Sequence, residues 1–338
     1  MNEEKIYHEI EKTIERINKE YGKGTITTLE KSKLKDKKIL STGSIILDKA
    51  IGTGGYVHGK IIEIFGLESS GKSTLALHAV RECQKLGKKT VYIDLENGLD
   101  IQYTQDIGVK SENLMIVYPD SGEEAFRIIK TLIKEEDVGL IVIDSVSNLI
   151  PQSQLDSDLE KHKIGSHALL MSWGLRNLKN WLTNKETIII FINQIRNKIS
   201  TSYYIGNPEI TTGGMALRFD ADLRIKLTKK GRIERNNEII GIDVTALIFK
   251  SKISKPFAEV NLEIIFCQGI QKEREIIDLA TGMNILQKSG NWYYWGEKKL
   301  GNGKEKAIEY LLKNFEVFQK LEEDVIKKLE NKIKEKNF

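Results

Sequence analysis

The run Gly66-Leu67-Glu68-Ser69-Ser70-Gly71-Lys72-Ser73 constrains this chain more than any other stretch, because it fits the pattern GxxxxGK[ST] in full. Its surroundings matter as much as its letters. A β-branched run, Ile61–Phe65, precedes it, and an apolar helical pattern over 72–86 follows it. A strand that turns through glycines directly into a helix can wrap its backbone N–H groups around an anion. The helix start adds the positive end of its dipole. From there Lys72 reaches the β- and γ-phosphates, and the Ser73 hydroxyl is placed to hold Mg²⁺. A glycine-rich turn arising by chance would not need both flanking elements. The segment reads as a nucleoside triphosphate site.

Other short β-branched runs share the character of Ile61–Phe65, namely Thr90–Leu95, Leu140–Asp144 and Thr187–Asn193. Each is apolar on both alternating faces, as strands covered on two sides must be. Helical patterns around 122–136 and 167–183 separate them, and alternation of this kind predicts an α/β fold with a mostly parallel sheet between helices. Runs near 223–227, 240–249 and 259–266 read as further strands in hairpins that extend one side of the sheet. Ahead of this core, Ile6, Ile10, Ile14, Ile17 and Tyr21 form an apolar stripe on one helix face, ended by Gly22 and Gly24. A charged stretch, Lys31–Lys38, reads as a linker. The stripe either folds back on its own core or docks on a neighbouring subunit. After Gly269 the aromatics Trp292, Tyr293, Tyr294 and Trp295 and a charged terminal helix suggest a small α+β appendage. The expected segments are 1–33 as a helical arm, 34–268 as the core and 269–338 as the C-terminal domain.

Two strand ends carry carboxylates. Asp144 closes a buried strand at its carboxyl end, where open α/β sheets place their ligands. An aspartate there could simply cap a turn, but beside a phosphate loop a metal-side role is favoured. Asp94 and Glu96 close another strand. Either could orient water for hydrolysis, and because they share a strand face, periodicity does not separate them.

Composition sets the outer limits. Lys+Arg exceed Asp+Glu by 52 − 48 = 4, so any strongly basic surface must be local. No apolar run approaches the ~20 residues of a membrane span. Cys83 and Cys267 stand far apart without a CxxC pair, which disfavours a disulfide framework or a cysteine-rich metal site. The acidic N-terminus does not look like a secretory signal. A cytoplasmic address is the expectation.

Taken together, Ser41-Thr42-Gly43-Ser44, Gly66–Thr74, Tyr92–Asp100, Asp144-Ser145, Phe191–Arg196, Gly206–Gly214 and the Lys250/Lys252 segment resemble the bacterial RecA recombinase family over nearly the whole chain. That resemblance implies an ATP- and Mg²⁺-dependent filament on single-stranded DNA that pairs with a homologous duplex, exchanges strands, and in some settings promotes cleavage of a LexA-like repressor. It implies that Glu96, rather than Asp94, is the catalytic glutamate. Tyr103 matches the aromatic that stacks on adenine, and Gln194 the glutamine that senses the γ-phosphate. Lys250 and Lys252 match lysines that reach ATP held by the adjacent subunit, in the logic of an arginine finger acting in trans. Phe219 matches an interface aromatic.

Residues 195–214 keep neither helical nor strand periodicity to their end, which inside a compact domain suggests a functional loop. Arg196 and Lys198 for phosphates, with tyrosines for stacking, suit a sequence-tolerant single-strand site. The resemblance adds Gly213 and Gly214, and Arg176 in the preceding helix. Several features depart from the family pattern. The 156–165 stretch carries lysines where acids and glycines are usual, and an arginine usual in the next helix is replaced at or near Leu169. Glu96 is followed by Asn97-Gly98. Residues 313–338 hold seven lysines and six acids, in place of an acidic tail. The rings of Trp292–Trp295 are expected to be core, with Lys298, Lys299, Lys304 and Lys306 facing duplex DNA. Two competing readings share the phosphate loop. The lysine pair disfavours a ring helicase, and Lys72, Ser73, Glu96 and Asp144 together disfavour an inert scaffold.

Overall fold

A computed structural model describes residues 3–22, 25–28, 38–156, 165–197, 209–235 and 237–336, which form two compact units, Met1–Lys38 and Ile39–Phe338. In the first unit, helix α1 (Glu3–Tyr21) carries the predicted stripe. Asn18 clasps the returning chain, donating to Ile26 O at 3.0 Å and accepting from Ile26 N at 3.2 Å. Ile6, Ile10 and Tyr21 remain exposed. Most of the Lys31–Lys38 linker lies outside the described residues.

The second unit is built on one large sheet. Its strands are β1 (Ile61–Gly66), β2 (Lys89–Asp94), β3 (Leu114–Val117), β4 (Val138–Asp144), β5 (Ile188–Asn197), β6 (Leu223–Arg235), β7 (Glu238–Ser251), β8 (Glu259–Ile265) and β9 (Gly269–Ile270). They lie in the order β9-β8-β7-β6-β1-β5-β4-β2-β3. From β6 to β3 every pairing is parallel, and β6 through β9 are joined antiparallel. The fold class expected from the sequence is the one found. Strand alternation sorts the core into two layers. Ile62, Ile64, Tyr92, Leu140, Val142 and Ile190 meet α2 (Lys72–Lys85) on one side. Ile61, Val91, Ile93, Ile141, Ile143 and Phe191 meet α3 (Gly122–Lys134) and α4 (Ser166–Trp181) on the other.

The structure corrects several expectations. The β6–β7 hairpin is longer than the apolar runs indicated, because the outer half of β6 is largely exposed and loses the hydrophobic signal. Strand β5 continues to Asn197, and Glu209–Thr211 pairs back onto it, so the 195–214 stretch begins and ends as a two-stranded stem. Edge strand β3 carries Met115 and Ile116 exposed, so it lacks the pattern of a buried strand.

Beyond β9 come α5 (Lys272–Gly282), a small sheet of β10 (Gln287–Ser289), β11 (Trp292–Trp295) and β12 (Lys298–Asn302), then α6 (Lys304–Lys313) and α7 (Phe315–Lys336). The aromatic cluster is only partly core. Tyr293 is buried and Trp295 packs against that core, but Trp292 is exposed with Lys299 over its ring at 5.5 Å. The two-residue period of a strand sends adjacent β11 side chains to opposite faces, so four consecutive rings cannot all point inward.

A buried carboxylate ties this part to the core. Glu275 on α5 accepts from Ser44 Oγ at 2.7 Å and from Ile45 N at 2.8 Å, capping the short helix Ile45–Ile51 from outside. Burial pushes Glu275 up to about 7 from an ordinary 4.5, and nearby Asp48, itself raised to about 6, adds to the effect. The folded chain holds this proton more tightly than the unfolded one. Its contribution is therefore complete below about pH 4.5 and is lost as pH rises through about 7. Glu275→Gln, whose amide can accept from Ile45 N and donate to Ser44 Oγ, should flatten that fall. Urea unfolding at pH 5 and pH 8 is the check. The parent should lose roughly 1–3 kcal/mol more than the variant between those values.

Candidate nucleotide site and DNA-facing loops

Register places the site. Gly66 at the end of β1 pairs with Gln194 on β5, and Asp94 pairs with Asp144 across β2 and β4. All the polar groups thus leave the sheet at one edge. Gly71 caps α2 with φ +86°, a conformation that requires glycine, while the Ile264 Cδ1 that a Cβ would meet at 2.3 Å is a side-chain end able to move aside. The first N–H groups of α2 have no partner within the helix and face the loop.

Lys72 is buried and donates to Leu67 O at 2.8 Å. Burial pulls its ammonium below the usual lysine value, while Asp144, Glu96 and Glu68 draw it back up. Ser73 Oγ donates to Asp144 Oδ2 at 2.8 Å, and Tyr92 OH donates to the same oxygen at 2.6 Å. Burial raises the Asp144 carboxyl, and these two bonds oppose the rise. Ser70 Oγ is buried without a hydrogen-bond partner among the described residues. Oxygen-only donors at Ser73 and Asp144 suit a hard cation completed by phosphate oxygens, so the residues present fit a magnesium nucleotide.

The structure separates the two carboxylates that periodicity leaves equivalent. Asp94 accepts from the backbone N–H groups of Glu96, Gly98 and Leu99, at 3.1–3.3 Å, and so holds the turn. Asn97 sits in that turn at φ +52°, a region asparagine tolerates. Glu96 is exposed, and its Oε1 accepts from Ser145 Oγ at 2.5 Å and from Gln194 Nε2 at 3.1 Å. Tyr103, half-buried, shares a 2.8 Å bond between its hydroxyl and Thr74 Oγ1, beside the end of the loop.

Lys250 and Lys252 are not brought to this edge. Lys250 pairs with Arg224, which is beside Glu63, three residues upstream of Gly66 on β1. It donates to Arg218 O at 2.7 Å and Phe219 O at 2.8 Å, and Lys252 donates to Asp220 O at 3.3 Å. Burial, then the charge of Lys252, lowers Lys250 to about 8. Phe219 is exposed next to them.

The sequence of this site is not isolated. The RecA N-terminal domain model matches residues 8–271 and the RecA C-terminal domain model matches residues 274–330. The chain belongs to the RecA family. Protein RecA of Porphyromonas gingivalis is 41% identical over 332 residues, covering 98% of this chain and 97% of the relative. Protein RecA of Phytoplasma mali is 43% identical over 321 residues, with 94% of each chain covered. That of Aquifex pyrophilus is 42% identical over 316 residues, covering 94% and 90%. RecA family membership supports a role in recombination and DNA repair for a nucleotide- and DNA-binding chain.

Of the DNA-facing candidates in this RecA relative, Arg176 is exposed on α4 and Arg196 lies on β5 opposite Ile210. Lys198, and the 157–164 part of the first loop, lie outside the described residues. Gly213 and Gly214 are described and sit against Val146, Met171 and Ala168. Lys304 is engaged with Asp278 at 2.7 Å. Among the described residues no helix is long and apolar enough to cross a membrane.

Sequence reasoning missed the supporting polar groups. Tyr92 and Ser145 each hold a site carboxylate, yet one looks like an ordinary strand aromatic and the other like a linker hydroxyl. The largest omission lies under the site. Glu63 and Arg224 form a fully buried ion pair, and the guanidinium lies over Phe65 at 4.5 Å and Phe249 at 5.3 Å. Asn193 Nδ2 joins Glu63 Oε1 at 2.8 Å to Thr212 O at 3.1 Å. Glu63, the lone polar residue of the buried strand β1, was the available signal.

Tyr92→Phe removes a bond that stabilises the Asp144 carboxylate. Magnesium-nucleotide affinity, followed by calorimetry, should fall on acidification at a pH above the ordinary carboxylate range. In the variant that fall should begin at higher pH, with affinity down about fivefold at neutrality. Superimposable pH profiles would remove Tyr92 from this role.

Proposed function

We propose that the chain is a DNA-activated ATPase that assembles head to tail on single-stranded DNA, pairs it with homologous duplex and exchanges strands. The observation that carries this is the division of polar groups between two places. Lys72, Ser73, Asp144, Glu96 and Gln194 gather at one sheet edge, while Lys250, Lys252 and Phe219 lie away from it. A site completed by lysines from a neighbouring copy couples hydrolysis to assembly, and a heterologous contact that does not close yields a filament. A ring helicase shares the first group of residues but does not account for the second.

Within one copy the roles follow from the contacts. The loop N–H groups and Lys72 bind and orient the triphosphate, and Tyr103 lies where a base could be covered. Mg²⁺ bound with ATP would neutralise phosphate charge, held by Ser73 and Asp144. Ser145 and Gln194 both hold Oε1 of Glu96, leaving Oε2 to accept the proton of the attacking water. Gln194 also belongs to the strand that becomes the stem of the 195–214 loop, so a shift of its side chain toward phosphate is transmitted along a few backbone units to Arg196 and Lys198. The same filament, in the cytoplasm, is the form a LexA-like repressor would meet.

ATP turnover should rise cooperatively with protein concentration and be strongly stimulated by single-stranded DNA. Lys72→Ala and Glu96→Gln should each reduce it by at least ~100-fold, with Glu96→Gln still binding DNA in an ATP-dependent way. An equal mixture of inactive Lys72→Ala and inactive Lys250→Ala should regain part of the activity. No recovery would rule out a lysine acting between copies, and turnover indifferent to DNA would reduce the reading to a shared fold.

A further inference from the structure

Helix α4 exposes three side chains in one line. Leu169, Trp173 and Arg176 follow at steps of four and three, the spacing of a single helix face. Leu169 is 72% exposed, Trp173 is 48% exposed, and Arg176 is exposed beside them. The helix seats itself on the sheet through Leu170, Met171, Leu175 and Leu178, all buried, so its core packing does not require these three.

Trp173 is nonetheless held. Its ring stands edge-on to Phe126 of α3, with centroids 6.2 Å apart and planes at 87°. Phe126 is fixed in turn beneath Gly174, where a Cβ would come within 2.2 Å of the ring. An indole braced along one edge and bare elsewhere presents a rigid surface to another flat ring. The electrostatic setting suits an anion. Helix α4 contains no acidic residue and carries Arg176 and Lys179, while α3 opens with Glu123 and Glu124 and continues to Arg127 and Lys130, the last with its Nζ 5.4 Å from the Trp181 ring. One flank of the line adjoins the end of the 195–214 stretch, since a Cβ on Gly214 would stand 3.1 Å from Ala168 Cβ.

We propose that Trp173 stacks on a base of bound single-stranded DNA, with Arg176 at the adjoining phosphate and Leu169 extending the apolar floor. This rests on the reading of single-stranded DNA as a ligand given above. Every base has a π-face, so an aromatic platform beside a cation binds without regard to sequence, as a strand-pairing protein needs.

The test uses the full chain with Trp181, Trp292 and Trp295 changed to phenylalanine, so that emission reports Trp173 alone. With ATP and Mg²⁺ present, labelled oligothymidylate should bind by anisotropy and quench Trp173, whereas an abasic oligomer of equal length should bind without quenching. In the otherwise unaltered chain, Trp173→Leu should weaken oligothymidylate binding about tenfold and Trp173→Phe much less, with both melting temperatures near the parent's. Parental oligothymidylate binding with unchanged Trp173 emission would overturn the stacking while leaving the DNA reading in place. Failure of the parent itself to bind would overturn both. Quenching that grows with protein concentration in the absence of DNA would assign the face to a second copy and overturn the DNA occupant.

Discussion

Parallel pairing in a single register is the constraint on which the rest depends. Six strands, from β6 to β3, point the same way, so their carboxyl ends emerge along one edge, and the residue that ends each strand becomes a neighbour of the residue that ends the next. Gly66, Asp94, Asp144 and Gln194 are scattered over 128 positions of sequence but occupy consecutive places on that edge. A slip of one residue in any strand would turn its apolar side chains to the wrong layer. The two dense layers around the sheet therefore fix the polar edge as firmly as any hydrogen bond within it.

Much of this was legible because buried parallel strands leave a strong signal. Ile61–Phe65 and Leu140–Asp144 are nearly continuous apolar runs, and the helices between them are amphipathic. The signal failed where burial was partial. The outer half of the β6–β7 hairpin carries Lys229, Lys230, Arg232 and Arg235, and it holds together by backbone pairing that leaves no hydrophobic trace in sequence. Edge strand β3 shows the reverse case: four apolar residues, two of them exposed, in a run too short to distinguish from a loop.

At the site, residue types that announce chemistry were readable and those that support it were not. Lys72, Ser73 and Asp144 stand out because a phosphate loop limits what their neighbours can be. Asp94 and Glu96 look alike by strand periodicity, but β2 ends at Asp94 and Glu96 lies in the turn beyond it, where three backbone N–H groups occupy the Asp94 carboxylate. Ser145 acts through a contact with Glu96 across 49 positions. Short-range pattern carries no record of a contact at that distance. The aromatic run at Trp292–Trp295 misled for a related reason: composition suggested a core, but strand geometry divides neighbouring rings between inside and outside.

The ion pair between Glu63 and Arg224 has a consequence for how such a sequence can drift. Both groups are out of water, with side-chain exposure of 0% and 4%. Removing either one alone strands a charge in the sheet at a cost of about 3–5 kcal/mol, comparable to the whole stability of many domains, whereas replacing both by well-packed apolar residues can be close to neutral. The two arrangements are separated by intermediates that barely fold. Positions 63 and 224 are therefore expected to be inherited as a unit, unaltered together or exchanged together, although they stand 161 positions apart.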